Sequence, residues 1–238
     1  MIQLEPRACA SLPAAWLSPL AALALTMLGG AALFALLGID AWQGLRLFLV
    51  EPFNGVYAWG ELAVKAVPLV LCAVGLALCF RANVWNIGAE GQLIAGAIAG
   101  GGVALLAGPD TWRGYVVLVM AAGMLGGMLW AALTAWLKDR FGANEMLVSL
   151  MLTYVVQLLL GYLVFGPWRD PHGYNFPQSR PFDEAAVLPA LWEGTRAHAG
   201  LWLALAATGA AWLFLARSHP GFRLRVTGAA PAAARYAG

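Results

Sequence analysis

The stretch Phe80–Gly100, FRANVWNIGAEGQLIAGAIAG, interrupts strongly apolar sequence with a cluster of polar side chains, namely Arg81, Asn83, Asn86, Glu90 and Gln92. Ionisable and amide groups are costly in lipid, so such a cluster indicates either a turn at the membrane surface or a polar path through the membrane. Gly88 and Gly91 permit a break in the helix, which is tolerated at membrane depth only against protein or a water-filled cavity. Both interpretations stay open, and they are compatible, since a turn of this kind can form the inner gate of a path.

The composition around this stretch predicts a membrane protein. Of the 238 residues, 61% are hydrophobic and 11% are charged, and the mean hydropathy is +0.73. A soluble domain carries about 25% charged residues, so this chain has too little polar surface for a water-exposed particle. We therefore expect an all-α integral membrane protein, surrounded by membrane lipid and without a nucleic-acid partner.

Hydropathy predicts a polytopic bundle of about six transmembrane helices. The second predicted span is interrupted by Pro68, and the third is rich in glycine. The aromatic segment 41–60 is typical of a helix and loop at the membrane interface. The predicted spans are 16–38, 62–79, 92–108, 114–137, 144–165 and 200–216.

The distribution of lysine and arginine predicts the orientation. With the N-terminus in the cytoplasm, the short inside loops hold more cations than the outside loops, as the positive-inside rule requires. Both termini are then cytoplasmic, and the proline-rich loop 166–199 is extracytoplasmic. A short surface helix is expected near Glu184–Trp192 within that loop.

Small residues at four-residue spacing predict close helix packing in lipid; they are Gly96, Gly100, Gly123, Gly126 and Gly127. The three cysteines have no framework or metal spacing. No nucleophile, acid–base or metal-ligand pattern is found, so we expect no catalytic residue, no metal site and no enzyme activity in this chain.

The basic tail 217–238, RSHPGFRLRVTGAAPAAARYAG, is the second informative stretch. Pro220 and Gly221 are expected to stop the preceding helix. Gly228 and Pro231 are expected to form a turn before a short alanine-rich helix, since proline suits a first helical turn. A basic segment next to a span can dock on a partner protein or meet anionic lipid, and composition does not separate the two.

Four stretches in order along the chain resemble one family. The segment FRANVWNIGAEGQLIAGA (80–97) closely resembles the motif of bacterial ABC-importer permeases of the branched-chain amino acid, ribose and nucleoside type. Within that group it looks most like nucleoside and simple-sugar permeases, as do the segments FGANEMLVSLMLTYVV (141–156), GPWRDPHGYNFPQS (166–179) and GFRLRVTGAAPAAARYAG (221–238).

The resemblance implies a permease subunit of the bacterial inner membrane that forms the translocation path and carries no ATPase of its own. Its partners would be a second permease subunit, ABC ATPase domains that hold ATP and Mg²⁺, and an extracytoplasmic substrate-binding protein. The path residues implied are Asn83, Trp85, Asn86, Glu90 and Gln92. The coupling segment 217–238 would contact the ATPase through Arg223, Arg225, Pro231, Ala234 and Arg235.

Two features depart from the family pattern. Family members continue beyond this point with further spans, so we expect a single permease domain, 1–238, that is truncated at its C-terminus. Ala229 and Ala230 also replace residues that are commonly polar in the family. An alternative function is an ion-coupled secondary transporter or channel that uses Glu90, although such a carrier needs no ATPase-docking segment.

Overall fold

The computed structural model describes residues 12–174, 176–230, 232 and 234. Across these residues the chain forms α-helices and two 3₁₀ turns, Glu51–Phe53 and Glu184–Ala186, with no β-strand beyond isolated bridges. The helices are α1 (Leu12–Leu36), α2 (Ala41–Leu49), α3 (Val56–Arg81), α4 (Ala89–Ala104), α5 (Tyr115–Phe141), α6 (Glu145–Phe165), α7 (Gly200–Arg217) and α8 (His219–Ala229).

Five of these helices, α1, α3, α5, α6 and α7, are long and apolar enough to cross a membrane. The third predicted span, 92–108, is the helix α4, which has 16 residues. At 1.5 Å per residue α4 is about 24 Å long, which is short of the roughly 30 Å hydrocarbon layer. The prediction of an all-α polytopic membrane protein is therefore confirmed; in the described residues, five of the six predicted spans are helices that meet the criteria for crossing a membrane, and the sixth is this shorter helix.

Large apolar side chains cover the outside of these helices. Leu158 on α6 and Leu129 on α5 are 76% and 70% exposed, respectively. Contiguous apolar surface of this extent is not stable in water, whereas lipid solvates it. The chain is a multi-pass membrane protein.

The chain divides into two compact units, Met1–Leu62 and Ala63–Gly238. In the first unit, Asp40 caps the N-terminus of α2 by accepting hydrogen bonds from the backbone amides of Trp42 and Gln43. A Cβ on Gly44 would lie 2.8 Å from the ring of Phe34, so α1 and α2 pack closely at this glycine. The expected interfacial segment 41–60 contains α2 and a turn, but α3 begins within it, at Val56.

The helix α3 runs without a break through Pro68, contrary to the expected interruption. Proline removes one backbone donor from a helix. Membrane helices tolerate that loss because lipid offers no competing hydrogen bonds and local adjustments satisfy the freed carbonyl.

The core of the second unit lies around α4. Val156 is 1% exposed and Ala104 is 2% exposed, and the buried polar residues Ser149 and Thr153 lie on α6. A Cβ on Gly96 would lie 2.8 Å from the carbonyl oxygen of Gly123 on α5. The predicted close packing through small residues is thus confirmed between α4 and α5, where backbone meets backbone.

The contacts of α4 set the directions of its neighbours. Gly127 meets Gln92 and Val119 meets Gly100, so α4 and α5 run antiparallel. Gly88 meets Ser149 and Gly91 meets Thr153, so α4 and α6 run parallel. The connection 82–88 between α3 and α4, which we call the polar junction, therefore lies at the same end of this unit as the α5–α6 turn.

The α5–α6 turn is closed by local hydrogen bonds and an ion pair. Gly142 adopts φ 63° after α5, and the side chain of Asn144 accepts hydrogen bonds from two amides at the start of α6. Lys138 and Glu145 form a salt bridge of 2.9 Å across the turn. These contacts fix the spacing of α5 and α6 at the end that holds the polar junction.

The loop 166–199 lies at the opposite end of the second unit. Phe182 lies 3.7 Å from a Cβ built on Gly101, and Trp168 lies 3.3 Å from one built on Gly102, near the end of α4. The surface helix expected near Glu184–Trp192 is wrong beyond one 3₁₀ turn, Glu184–Ala186, which Asp183 caps. After this turn the chain is not helical: Pro189 follows, and Ala190 pairs with His198 in an isolated antiparallel bridge.

Candidate functional site

The site begins where α3 ends. The amide of Val84 donates to the carbonyl of Cys79, at 2.9 Å, and the amide of Asn83 donates to that of Phe80, at 3.1 Å. Asn83 has φ 57°, so these bonds form a Schellman cap with Asn83 in the left-handed position. This residue was predicted to line the path, and its backbone sets the direction in which the chain leaves α3.

Two predicted path residues, Asn86 and Gln92, form a closed amide pair. Each side-chain amide donates to the other's carbonyl oxygen, at 3.2 Å in both directions. The same oxygen of Asn86 also accepts from the backbone amide of Gly88, at 3.1 Å. The pair ties the polar junction to the first turn of α4, which begins at Ala89 and not at 92 as predicted.

The polar junction and the first turn of α4 each pack against α6 through one glycine. A Cβ on Gly88 would lie 2.7 Å from the Cβ of Ser149, and one on Gly91 would lie 2.6 Å from the Oγ1 of Thr153. Both α6 hydroxyls donate to backbone carbonyls of their own helix. The two hydroxyls therefore already have hydrogen-bond acceptors inside α6. At Gly88 and Gly91 the two segments pack so closely that a side chain larger than hydrogen would collide with α6.

Glu90 contacts a residue that the sequence reasoning missed. The side-chain amide of Gln157, on α6, donates to the Oε1 of Glu90, at 3.0 Å. Glu90 is exposed and Gln157 is half-buried. A signal for Gln157 was available, because Ser149, Thr153 and Gln157 follow at four-residue spacing on one face of an otherwise apolar helix. We call these three residues the polar stripe.

The position of Gln157 along α6 gives the depth of this contact. Gln157 is twelve residues beyond Glu145, which places it about 18 Å from the start of a helix that is about 31 Å long. The Glu90–Gln157 pair therefore lies near the middle of a membrane-spanning helix. The polar junction lies at the level of Ser149, closer to the N-terminal end of α6. The stretch Phe80–Gly100 therefore contains both a turn near the helix end and a polar contact deeper along α6.

Trp85 lies away from these contacts. Its ring packs on Phe80 with centroids 5.6 Å apart, and it is 55% exposed. The structure thus brings Asn86 and Gln92 together and joins Glu90 to Gln157. Asn83 forms the cap of α3, and Trp85 packs on Phe80 near the end of that helix. The assignment of all five residues to a translocation path stays a prediction.

The coupling segment contacts the polar junction directly. Ser218 caps α8 by accepting from the amide of Gly221, so Pro220 and Gly221 start a helix instead of ending one. Gly228 lies inside α8 and not in a turn as expected. A Cβ on Gly228 would collide with the carbonyl oxygen of Arg81, at the end of α3.

The other predicted coupling residues are described only in part. Arg223 and Arg225 lie on α8 with exposed side chains. The amide of Ala234 donates to the carbonyl of Ala230, at 3.0 Å. Pro231 and Arg235 lie outside the described residues. A contact of these residues with an ATPase stays a prediction.

A family model described as the branched-chain amino acid transport system / permease component matches residues 59–238. The match includes the polar junction, α4, the polar stripe and α8. No solved structure matches the chain.

Several curated relatives are similar over nearly all of the chain. The glucose ABC transporter permease protein TsgB13 of Haloferax volcanii is 37% identical over 100% of this chain and 64% of its own length. The guanosine ABC transporter permease protein NupP of Bacillus subtilis is 27% identical over 93% of this chain and 64% of its own length. The nucleoside ABC transporter permease protein NupB of Lactococcus lactis is 24% identical, also over 93% of this chain, and 63% of its own length is covered. The chain thus spans just under two thirds of the length of these relatives, and it belongs to the family of branched-chain amino acid transport system permease components.

Proposed function

We propose that the chain is a transmembrane permease subunit of an ATP-driven ABC importer for nucleosides or simple sugars. The names of the three relatives support this substrate range, because they specify glucose, guanosine and nucleosides. In this proposal the chain lies in the bacterial inner membrane. It works with a second permease subunit, an ABC ATPase that holds ATP and Mg²⁺, and an extracytoplasmic binding protein.

The observation that carries the mechanism is the contact between Gly228 and Arg81. It joins α8, the proposed ATPase-docking helix, to the last residue of α3 without an intervening side chain. A displacement of α8 would therefore shift the Schellman cap at Asn83 and, through the polar junction, the Asn86–Gln92 pair. In the proposed cycle, closure of the ATPase moves α8 and so changes access to the path by alternating access.

The distribution of charge supports a cytoplasmic location for the α8 end of the second unit. The short segments at this end contain Arg81, Lys138, Arg140, Arg217, Arg223 and Arg225. The short connection 105–114 at the opposite end contains Arg113 beside Asp110. By the positive-inside rule, we place the α8 end of the second unit in the cytoplasm and the loop 166–199 on the outside.

An ATPase assay on the purified components tests this function. The chain alone should hydrolyse no ATP, and the complex with its ATPase should hydrolyse ATP faster when solute-loaded binding protein is added. Hydrolysis by the chain alone would contradict the proposal. So would an assembled complex whose rate does not respond to loaded binding protein, since the solute signal must cross the permease to reach the ATPase.

A further inference from the structure

A buried hydrogen-bond donor on α5 has no partner in the structure. The indole Nε1 of Trp130 is inaccessible to solvent and has no hydrogen-bond acceptor among the described residues. Buried tryptophan nitrogens usually donate to an acceptor, because a donor removed from water without one costs free energy. Packing of the ring alone therefore does not explain a tryptophan at this position, since phenylalanine would fill space without the unpaired donor.

Helix geometry places Trp130 at the level of the polar junction. Gly127 and Trp130 follow Gly123 by four and seven residues, so the three share the face of α5 that packs on α4. Along that face Gly123 meets Gly96, and Gly127 meets Gln92. Because α4 and α5 run antiparallel, the next turn of α5, which carries Trp130, lies beside the residues just before Gln92.

The amide pair of Asn86 and Gln92 lies at this same level. The side chain of Gln92 reaches back to Asn86, as side chains on a helix tilt toward its N-terminus. The Oδ1 of Asn86 accepts two hydrogen bonds, from the side chain of Gln92 and from the amide of Gly88. Among the described residues, the Oε1 of Gln92 accepts one hydrogen bond, from Asn86, although a carbonyl oxygen has two lone pairs. Within the pair, the remaining acceptor capacity is therefore that of Gln92.

We propose that Gln92 is the centre of a two-state latch, in which it pairs with Asn86 in the first state and with Trp130 in the second. The structure shows the first state, where the amide pair is closed and the N–H of Trp130 is unpaired. When the polar junction moves away from α4, Asn86 moves with it, and the Oε1 of Gln92 accepts from Trp130. The new hydrogen bond partly replaces those lost at Asn86, so both positions of the junction are stabilised. This proposal rests on the proposed function, because a movement of α8 during transport is what displaces the junction.

A double-mutant cycle of Trp130→Phe and Gln92→Leu tests the latch. Trp130→Phe keeps an aromatic ring and removes the N–H, and any loss of packing from the smaller ring cancels in the cycle. On the free energy of unfolding of the purified chain, the two effects should be additive, because the two side chains are unpaired in the first state.

The same cycle should be non-additive when the measured quantity is the ATPase rate of the assembled complex stimulated by solute-loaded binding protein. With Gln92 present, Trp130→Phe should lower that rate about two- to tenfold, since one neutral hydrogen bond of the second state is lost. In the Gln92→Leu background it should have no further effect, because the acceptor is already absent. Trp136→Phe is the matched control on the same helix. Its ring is 55% exposed and packs on Phe141, so the stimulated rate should be unchanged.

The proposal is overturned if Trp130→Phe leaves the stimulated rate at the wild-type value, or if it lowers the rate equally with and without Gln92. Non-additive free energies of unfolding would also overturn it, since Trp130 and Gln92 would then already be paired in the first state. Failure of the importer function has a different signature, because the wild-type complex itself would show no stimulation by loaded binding protein. The unfolding cycle on the purified chain still tests the first state in that case.

Discussion

Gly228 of α8 packs on the carbonyl oxygen of Arg81, so the proposed ATPase-docking helix and the end of α3 touch through backbone alone. Backbone contacts of this kind deform little, because neither contacting group belongs to a side chain that can rotate away. The contact places α8 immediately before Asn83, where the chain turns from α3 into the polar junction. A movement of α8 is thereby linked to the segment that carries the predicted path residues.

Replacing Gly228 with valine should uncouple ATP hydrolysis from transport. The new side chain cannot fit against the carbonyl of Arg81, so α8 must shift. A coupling free energy of about 1–3 kcal/mol corresponds to a factor of roughly 5 to 150, and we expect a loss of the stimulated ATPase rate within that range. The measurement compares the ATPase rate of the assembled complex with and without solute-loaded binding protein. Gly209→Ala on α7, where a Cβ meets nothing within 4 Å, should leave the stimulation intact, and equal stimulation in the Gly228→Val complex would contradict the coupling route.

Adding a methyl group at Gly91 should destabilise the α4–α6 interface. Its Cβ would lie 2.6 Å from the Oγ1 and 2.9 Å from the Cα of Thr153, so relief requires a movement of the α6 backbone, and overpacking costs about 1–3 kcal/mol. The apparent unfolding temperature of the detergent-purified chain should fall. Gly75→Ala on α3 is the control, because a Cβ there meets nothing within 4 Å. If both variants have the same unfolding temperature, the α4–α6 interface has room for a methyl group at Gly91 and the close packing described above is wrong.

Substitutions at Asn83 should separate backbone conformation from side-chain chemistry. The left-handed backbone at φ 57° costs most L-residues about 1–2 kcal/mol, whereas glycine adopts it without penalty. Asn83→Gly should therefore keep the unfolding temperature of the purified chain, and Asn83→Ala should lower it. If both variants are equally stable but both lose transport, the side chain of Asn83 serves the path and its role in the cap is secondary.

The amide pair of Asn86 and Gln92 should behave as one unit. Leucine at either position leaves the other amide without its partner. The losses in free energy of unfolding from the two single substitutions should therefore not add up to the loss from the double substitution. The expected coupling is about 0.6–2 kcal/mol, as for a hydrogen-bonded pair within a membrane protein. The measurement is a double-mutant cycle on the free energy of unfolding in mixed detergent. Additive effects would mean that the two side chains do not depend on each other.

Much of the fold could be predicted from local sequence. The apolar runs identify α1, α5, α6 and α7 within a few residues, because length and hydropathy alone determine which segments can cross lipid. The glycine spacing in α4 and α5 also predicted their close packing. Pro68 was misread because a rule for soluble helices was applied to a helix in lipid, where proline is tolerated.

The site was less accessible to the sequence, because its contacts join residues far apart in the chain. Glu90 and Gln157 are 67 positions apart, and Gly228 meets Arg81 over a still longer separation. No local pattern encodes either pairing. The polar stripe on α6 was a readable signal for Gln157, since three polar residues at four-residue spacing must share a face, but it could not identify which helix that face meets.

Transport by a reconstituted complex tests the central claim most directly. Proteoliposomes should contain the chain with its second permease and ATPase, with Mg²⁺ and ATP inside, and with binding protein and labelled guanosine or D-glucose outside. We predict uptake of at least one solute that requires internal ATP and persists when a protonophore and a sodium ionophore remove the ion gradients. Uptake that continues without ATP and collapses with those ionophores would contradict the account and identify an ion-coupled carrier.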